Sequence, residues 1–428
     1  MNTPDALLDL DVTGIAHGGV MVARHEGRVV FVADAIPGER VRVRVSDATK
    51  DAFWRAETVE VIDPSPYRRR HVWAEADLDT PPEGRPGGAD LGHVDPAHQR
   101  ILKQRVLAEA LDRFAGVAIP APEVEEAGGD GDGWRTRLTL HVDAEGRVGP
   151  YAARSHRVVT VADHPLARPA VAAAARELAA AGSEQRGGRV ELVEPADGRV
   201  RIIDRPARAG RRGGAARRQD AARRAPETIR ERVGEREFAL DADGFWQVHP
   251  RAATILDVAV ADALAGRVDP DAAHLDLYGG VGLFAATLGR LGARRITTVE
   301  ASARATAHAA ANLADLGVEA ATARVDRYLA GLRRGDRDDR AALVGGTVVL
   351  DPPRAGAGRE VVEAVAALRP AAVAYVACDP VALARDLGTF RGLGYETASL
   401  RAFDLFPHSH HLESLALLVP DSGRNGAS

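Results

Sequence analysis

The stretch YVACDPVALARDL, Tyr375 to Leu387, holds Cys378, the only cysteine in a chain of 428 residues. A free cysteine is ordinarily a small buried hydrophobe. Its setting here argues for chemistry instead. The apolar run AVAYVA precedes it, and Asp379-Pro380 then opens a helical pattern, so the thiol stands at a strand-to-helix turn. A nucleophile belongs at such a turn, and a nearby helix N-terminus lowers a thiol pKa from about 8.5. The expectation is a catalytic Cys378 of depressed pKa.

Two further stretches read as strand ends that carry chemistry. In LDLYGGVG, Gly279, Gly280 and Gly282 follow an apolar strand, and glycine there lets the backbone approach a ligand and turn directly into a helix. The next strand, RITTVEAS, ends in Glu300, whose carboxylate can accept hydrogen bonds from a ribose or, alternatively, sit as an acid at a helix N-terminus. The turn is not a complete dinucleotide fingerprint, because Phe284 stands near the third glycine position. That favours S-adenosylmethionine over NAD. In DPPR the two prolines stiffen the loop and fix where Asp351 points. Arg354 cannot stack on a base as an aromatic would, but it can pair with phosphate, which argues against an exocyclic amine as target.

These residues need elements to hold them, and the chain supplies three sections. From Leu7 to about Asp63, period-two runs such as RVVFVADAIPGERVRVRV give four or five short strands, which suits a small closed barrel of the oligonucleotide-binding kind. A helix follows in DPAHQRILKQRVLAEALDRF, with Asp95 as N-cap and Pro96 at the first helical position. RTRLTLHVD, RVGPYAA, HRVVTVAD, RVELVEP and RVRIID then read as strands of an antiparallel α+β insert. From about Phe238, strands alternate with helices, which implies a doubly wound parallel sheet with ligands at the carboxyl ends of its strands. The fold class expected is therefore α/β, a Rossmann-like domain at 237–428 joined to a β-barrel at 1–66 and an α+β domain at 67–236.

Composition sets limits on the rest. One cysteine excludes an intramolecular disulfide framework, and the start, MNTPDALLDLDVTG, does not read as a signal peptide. No apolar run approaches a membrane span. A cytoplasmic protein without a membrane partner is expected, and a monomer. The net charge of −5 leaves room for a local basic groove. Lysine is nearly absent while arginine is abundant, so arginine counts say little, and RPARAGRRGGAARRQDAARR reads as a solvated loop sooner than as an RNA-contacting arm.

Taken in order, LDLYGGVG, DPPRAGAG, YVACDPVALARDL and FDLFPHSHHLESLALL resemble the RNA 5-methyluridine (uracil-C5) methyltransferases. The resemblance extends to GFWQVHPRAA and to the N-terminal barrel, which is similar to a TRAM domain. It implies that the Cys378 thiolate attacks carbon 6 of uracil, making carbon 5 able to take a methyl group. Glu413 stands at the family's base position and would remove the carbon-5 proton. Gln247, Tyr278, Glu300 and Asp351 match its S-adenosylmethionine contacts, and the substrate would be ribosomal or transfer RNA with the target base flipped out. The two RNA-facing units would be the barrel and the α+β domain.

Departures from the family pattern narrow the expectation. Many relatives hold an iron–sulfur cluster with cysteines, and Pro86 and Ala89 stand about where two ligands would be, so no iron–sulfur cluster is expected. Leu283 replaces an asparagine that some relatives carry. HSHH, His408 to His411, lacks a spaced partner, and no metal is expected. Three readings compete: a cytosine-C5 RNA methyltransferase, which typically needs a second cysteine; an amine methyltransferase, for which Cys378 is dispensable; and a non-catalytic RNA-binding or ribosome-assembly factor, which predicts a degraded Cys/Glu pair.

Overall fold

The computed structural model describes residues 5–50, 52–129, 131–207, 226–334 and 341–421. They fall into two compact units, each drawn from several stretches of chain. One comprises Met1–Val106, Gly128–Pro226 and Phe406–His411, and the other Leu107–Ala127, Glu227–Leu405 and Leu412–Ser428.

In the first unit five strands close a barrel in the order Leu7–Ile15, Met21–His25, Arg28–Ala33, Phe53–Asp63 and Arg40–Asp47. Strict alternation drives it: Val41, Val43 and Val45 are buried inside while Arg40, Arg42 and Arg44 lie on the outer face. The barrel core is not self-sufficient. Leu91, Val94 and Leu102, from the chain that follows, belong to the same buried cluster. Glu39 strengthens this join, because its buried carboxylate accepts from Arg68 Nε at 2.6 Å and Nη2 at 2.7 Å. Removing one partner of such a pair typically costs about 3–5 kcal/mol.

The helix Pro96–Phe114 starts as the sequence predicts, with Asp95 Oδ1 accepting from Ala97 N at 3.0 Å. A four-stranded antiparallel sheet runs Arg201–Arg205, Arg189–Val193, Arg137–Val142 and Val148–Gly149, packed on the helix Pro169–Ala181. HRVVTVAD departs from expectation: it forms no strand, only an isolated bridge between Val158 and Tyr151. Most of the arginine-rich stretch lies outside the described residues.

The second unit is built on an eight-stranded sheet. Its order is Glu319–Thr322, Arg295–Glu300, Ala273–Leu277, Thr347–Leu350, Ala372–Ala377, Glu413–Pro420, Tyr395–Asp404 and Val124–Glu126. The first five are mutually parallel, as alternating strands and helices require. Beyond them, Glu413–Pro420 adds to this doubly wound sheet in the opposite direction, antiparallel to both neighbours. Its chain arrives from Tyr395–Asp404 without a crossover helix, so only the reversed direction is open to it. Residues Ala372–Ala377 are all buried, as a strand covered on both faces must be.

The glycine turn after Ala273–Leu277 is fixed by packing as much as by conformation. A Cβ on Gly279 would lie 2.0 Å from Thr298 Oγ1 and 2.5 Å from Asp276 Oδ2. Asp276 is wholly buried; its Oδ2 accepts from Thr298 Oγ1 at 2.9 Å and Ala285 N at 3.2 Å, and burial lifts its pKa to about 6. Gly279→Ala should cost at least about 2 kcal/mol of stability in urea unfolding, the scale of overpacking against a rigid wall. Because the folded state holds the Asp276 proton longer than the unfolded chain does, its contribution is full below about pH 4. It is lost as the pH rises through about 6, a decline on the order of 3 kcal/mol. Asp276→Asn should flatten that decline, and an urea midpoint that still falls as steeply from pH 4 to 7 would assign it to another group.

Candidate active site

The reversed strand brings the two sequence-predicted reactive residues together. Ala377 pairs with Ser414 in antiparallel register, so the next position on each strand sets Cys378 against Glu413. Cys378 is half-buried at the carboxyl end of its strand, while Glu413 is 3% exposed and opens its own. Glu413 Oε2 is buried without a hydrogen-bond partner among the described residues. Burial therefore raises the Glu413 pKa well above the usual range, Asp351 raises it further, and Arg354 opposes both. A buried carboxyl of raised proton affinity at this edge can hold a proton and, once ionised, take one up.

The depressed thiol pKa expected for Cys378 is overturned. Burial pushes the thiol up to about 12, the charges of Glu413 and Asp351 add to the rise, and Arg354 counters them only in part. The helix N-terminus that was to stabilise a thiolate is already occupied. Asp379 Oδ1 accepts from Val381 N at 3.0 Å and Ala382 N at 2.8 Å, so a carboxylate caps the helix Pro380–Gly392 and offsets its positive end.

Around this pair the other strand ends deliver the expected residues. Asp351 follows Thr347–Leu350, is half-buried, and has its pKa raised to about 7 by burial and then by the neighbouring Asp276. Tyr278 takes a left-handed conformation, φ 65°, at the end of Ala273–Leu277, which is rare for a side chain of this size and marks a constrained site. Glu300 ends the adjacent strand; Oε2 accepts from Gly280 N at 3.3 Å and Oε1 from Ser302 N at 2.7 Å. It thus holds the glycine turn while retaining lone pairs for a ligand. Gln247 is half-buried in the loop between Arg236–Asp241 and the helix Ala252–Leu264. Leu283 begins the helix Leu283–Arg290 directly after the glycine turn.

Sequence reading missed Asp276, whose only signal is an acid inside the apolar run HLDLY, and Asp386, which lies seven residues beyond the Asp379 cap. A cysteine-held iron–sulfur cluster does not fit this chain, since four thiolates are needed and Cys378 is the one available. Ala89 is buried and accepts from the His71 ring at 3.1 Å, and Pro86 bridges Ala152. In HSHH, His408 meets Gln99 at 3.0 Å and His410 meets Asp90 at 2.7 Å. The described residues contain no cluster of three or more side chains suited to a metal ion.

Comparison with known proteins agrees with this arrangement. The model of the tRNA (Uracil-5-)-methyltransferase family matches residues 242–420, and that of the TRAM domain matches residues 7–59. An uncharacterized RNA methyltransferase of Streptomyces avermitilis is 39% identical, with 96% of this chain and 98% of that protein covered. The 23S rRNA (uracil(1939)-C(5))-methyltransferase RlmD of Chromohalobacter salexigens is 32% identical over 98% of this chain and 91% of its own. The crystal structure of Pyrococcus abyssi tRNA (uracil-54, C5)-methyltransferase in complex with S-adenosyl-L-homocysteine shares the fold, with a TM-score of 0.66 at 21% identity, covering 96% of this chain and 99% of that one. A cysteine and a glutamate in register at the edge of such a sheet, with relatives matched along nearly their whole length, lead to one assignment: the chain belongs to the RNA uracil-C5 methyltransferase family and carries an N-terminal TRAM domain.

Proposed function

We propose that this protein methylates carbon 5 of a uridine in RNA, with S-adenosylmethionine as methyl donor. The observation that carries the reading is the register that sets Cys378 against Glu413 at the ligand edge of the sheet. A thiol and a carboxyl so placed can act in turn on adjacent ring carbons. Cys378 releases its S–H proton to solvent and forms the S–C6 bond, while the C5–C6 π pair shifts to give an enolate through the C4 oxygen, leaving carbon 5 nucleophilic. S-adenosylmethionine, when bound, supplies the electrophilic methyl group. Glu413 then takes the carbon-5 proton, the S–C6 bond breaks, and the ring and the thiolate are restored. The cradle for the donor is the glycine turn with Tyr278, Glu300 and Asp351, and Gly279 fits there because any Cβ would be blocked. Gln247 would join that cradle.

The domain roles follow the sequence reading: residues 1–66 and 67–236 bind RNA and 237–428 carry the chemistry. A stacking surface supports this for the barrel. Phe31 and Phe53 meet edge to face at 5.3 Å on its outer face, with Lys50 Nζ 4.8 Å and Arg55 5.8 Å from the Phe53 ring. Aromatic rings with adjacent cations suit unpaired bases. No helix among the described residues is long and apolar enough to cross a membrane, and the reduced thiol the reaction needs fits the cytoplasm.

The decisive experiment maps 5-methyluridine by mass spectrometry in ribosomal and transfer RNA incubated with protein and S-adenosylmethionine. Cys378→Ala should abolish methylation while leaving donor affinity near wild type; a rate within about tenfold of wild type, roughly 1.4 kcal/mol in barrier, would remove it as nucleophile. Glu413→Gln should stall after transfer and accumulate a Cys378-dependent protein–RNA adduct on denaturing gels. Glu300→Ala should weaken donor binding by about 1.5–3 kcal/mol by calorimetry, the scale of a hydrogen bond to a charged group. Because the barrel core includes residues beyond Asp63, Phe31→Ala and Phe53→Ala are cleaner tests of it than truncation. Each should weaken RNA binding by ~1–3 kcal/mol, the scale of one stacked base, and unchanged affinity in both would dismiss the surface.

A further inference from the structure

Two loops converge on the reactive pair, and one buried carboxylate joins them. Asp386 lies on the helix Pro380–Gly392 that follows Cys378, and it is 5% exposed. Its Oδ2 accepts from Tyr375 Oη at 2.6 Å, Ala357 N at 2.8 Å and Gly358 N at 3.2 Å. Tyr375 belongs to the strand that ends at Ala377, is wholly buried, and its hydroxyl also accepts from Ala357 N at 3.0 Å. Ala357 and Gly358 close the DPPRAGAG loop, which begins at Asp351 and carries Arg354. The backbone fits tightly around this carboxylate. A Cβ on Gly356, at φ +82°, would lie 2.7 Å from Asp386 Oδ2 and 3.1 Å from Ala382 Cβ.

A single oxygen therefore ties three segments: the strand that delivers Cys378, the helix that leaves it, and the loop that holds Asp351 and Arg354. We propose that Asp386, with Tyr375, is a positioning residue whose carboxylate fixes the DPPRAGAG loop, and with it Arg354, against the strand that delivers Cys378. Nothing in this tie touches the reacting atoms. Its effect passes through Arg354, whose charge favours the thiolate of Cys378 against the opposing influence of Glu413 and Asp351. A loop released from Asp386 would let that guanidinium drift, and the thiol would lose its countercharge. The benefit for RNA methylation rests on the function proposed above, whereas the benefit for the thiol does not.

The test uses the single thiol as its own reporter. Cys378 alkylation by iodoacetamide is followed by intact mass from pH 7.5 to 10, where the rate tracks the thiolate fraction. Arg354→Ala should slow alkylation at least threefold across this range. Tyr375→Phe and Asp386→Asn should each slow it in the same direction, and Tyr375→Phe should add nothing in the Arg354→Ala background, since both act through one guanidinium. With S-adenosylmethionine and RNA transcripts, the same two variants should lower kcat at least tenfold while KM for the donor stays within about twofold. Thermal melting identifies any variant that has merely unfolded, and Tyr375→Phe, the smaller change, keeps the test open if Asp386→Asn does not fold. A folded Tyr375→Phe protein that alkylates at the wild-type rate, or whose loss adds fully to that of Arg354→Ala, would overturn the proposal. If no RNA is methylated by the wild type, the functional reading fails, and the alkylation series still decides the role of Asp386.

Discussion

The candidate site depends on the direction of one strand. Five parallel strands present their carboxyl ends to a common edge, but they can offer only residues that follow a strand. Glu413–Pro420 runs the other way, so its first residue lies at that same edge. A carboxyl that opens a strand thereby meets a thiol that closes one. The register then leaves no freedom: a shift of one residue would turn Glu413 to the opposite face of the sheet. The ladder from Val373–Leu418 to Ala377–Ser414 holds that register with buried apolar residues on both strands.

Charge is the second organising feature. Cys378, Glu413, Asp351 and Asp276 are all acids whose surroundings favour the protonated form, and Arg354 opposes this at the first two. Groups coupled this closely give up their protons as a set and not one by one. Such a pocket is electrostatically unfinished on its own. It complements a ligand that brings positive charge, and a sulfonium has that character.

Much of this was legible in the sequence, for reasons tied to particular residues. Strand-to-helix turns at Gly279 and Cys378 follow from apolar runs ending in glycine or in Asp-Pro, signals that are local. Alternation in RVRVRV gave the barrel, because its inner face is fully buried. HRVVTVAD shows the limit of the same rule: an alternating run becomes a strand only if a partner lies beside it, and here a single bridge forms. The site was half legible. Residue types identified Cys378 and Glu413, but their meeting depends on strand order, which no local pattern encodes. The thiol pKa was misread for a related reason. Asp379-Pro380 reads as a helix start, and only the hydrogen-bond geometry shows Asp379 satisfying the amides that would otherwise stabilise a thiolate. Asp386 carries no local signal, because its three donors, Tyr375 Oη, Ala357 N and Gly358 N, meet only in the fold.

The raised proton affinity of Cys378 has a bearing on how long the protein stays intact. Peroxide attacks thiolates, and the steps from sulfenic to sulfonic acid begin from the ionised sulfur. A thiol pushed up to about 12 is mostly protonated near neutrality, and the protonated form offers oxidants little to attack. With no second cysteine to resolve a sulfenic acid by forming an internal disulfide, a chain of this composition has no repair of its own. The protonated, half-buried thiol is the form least open to that oxidative loss.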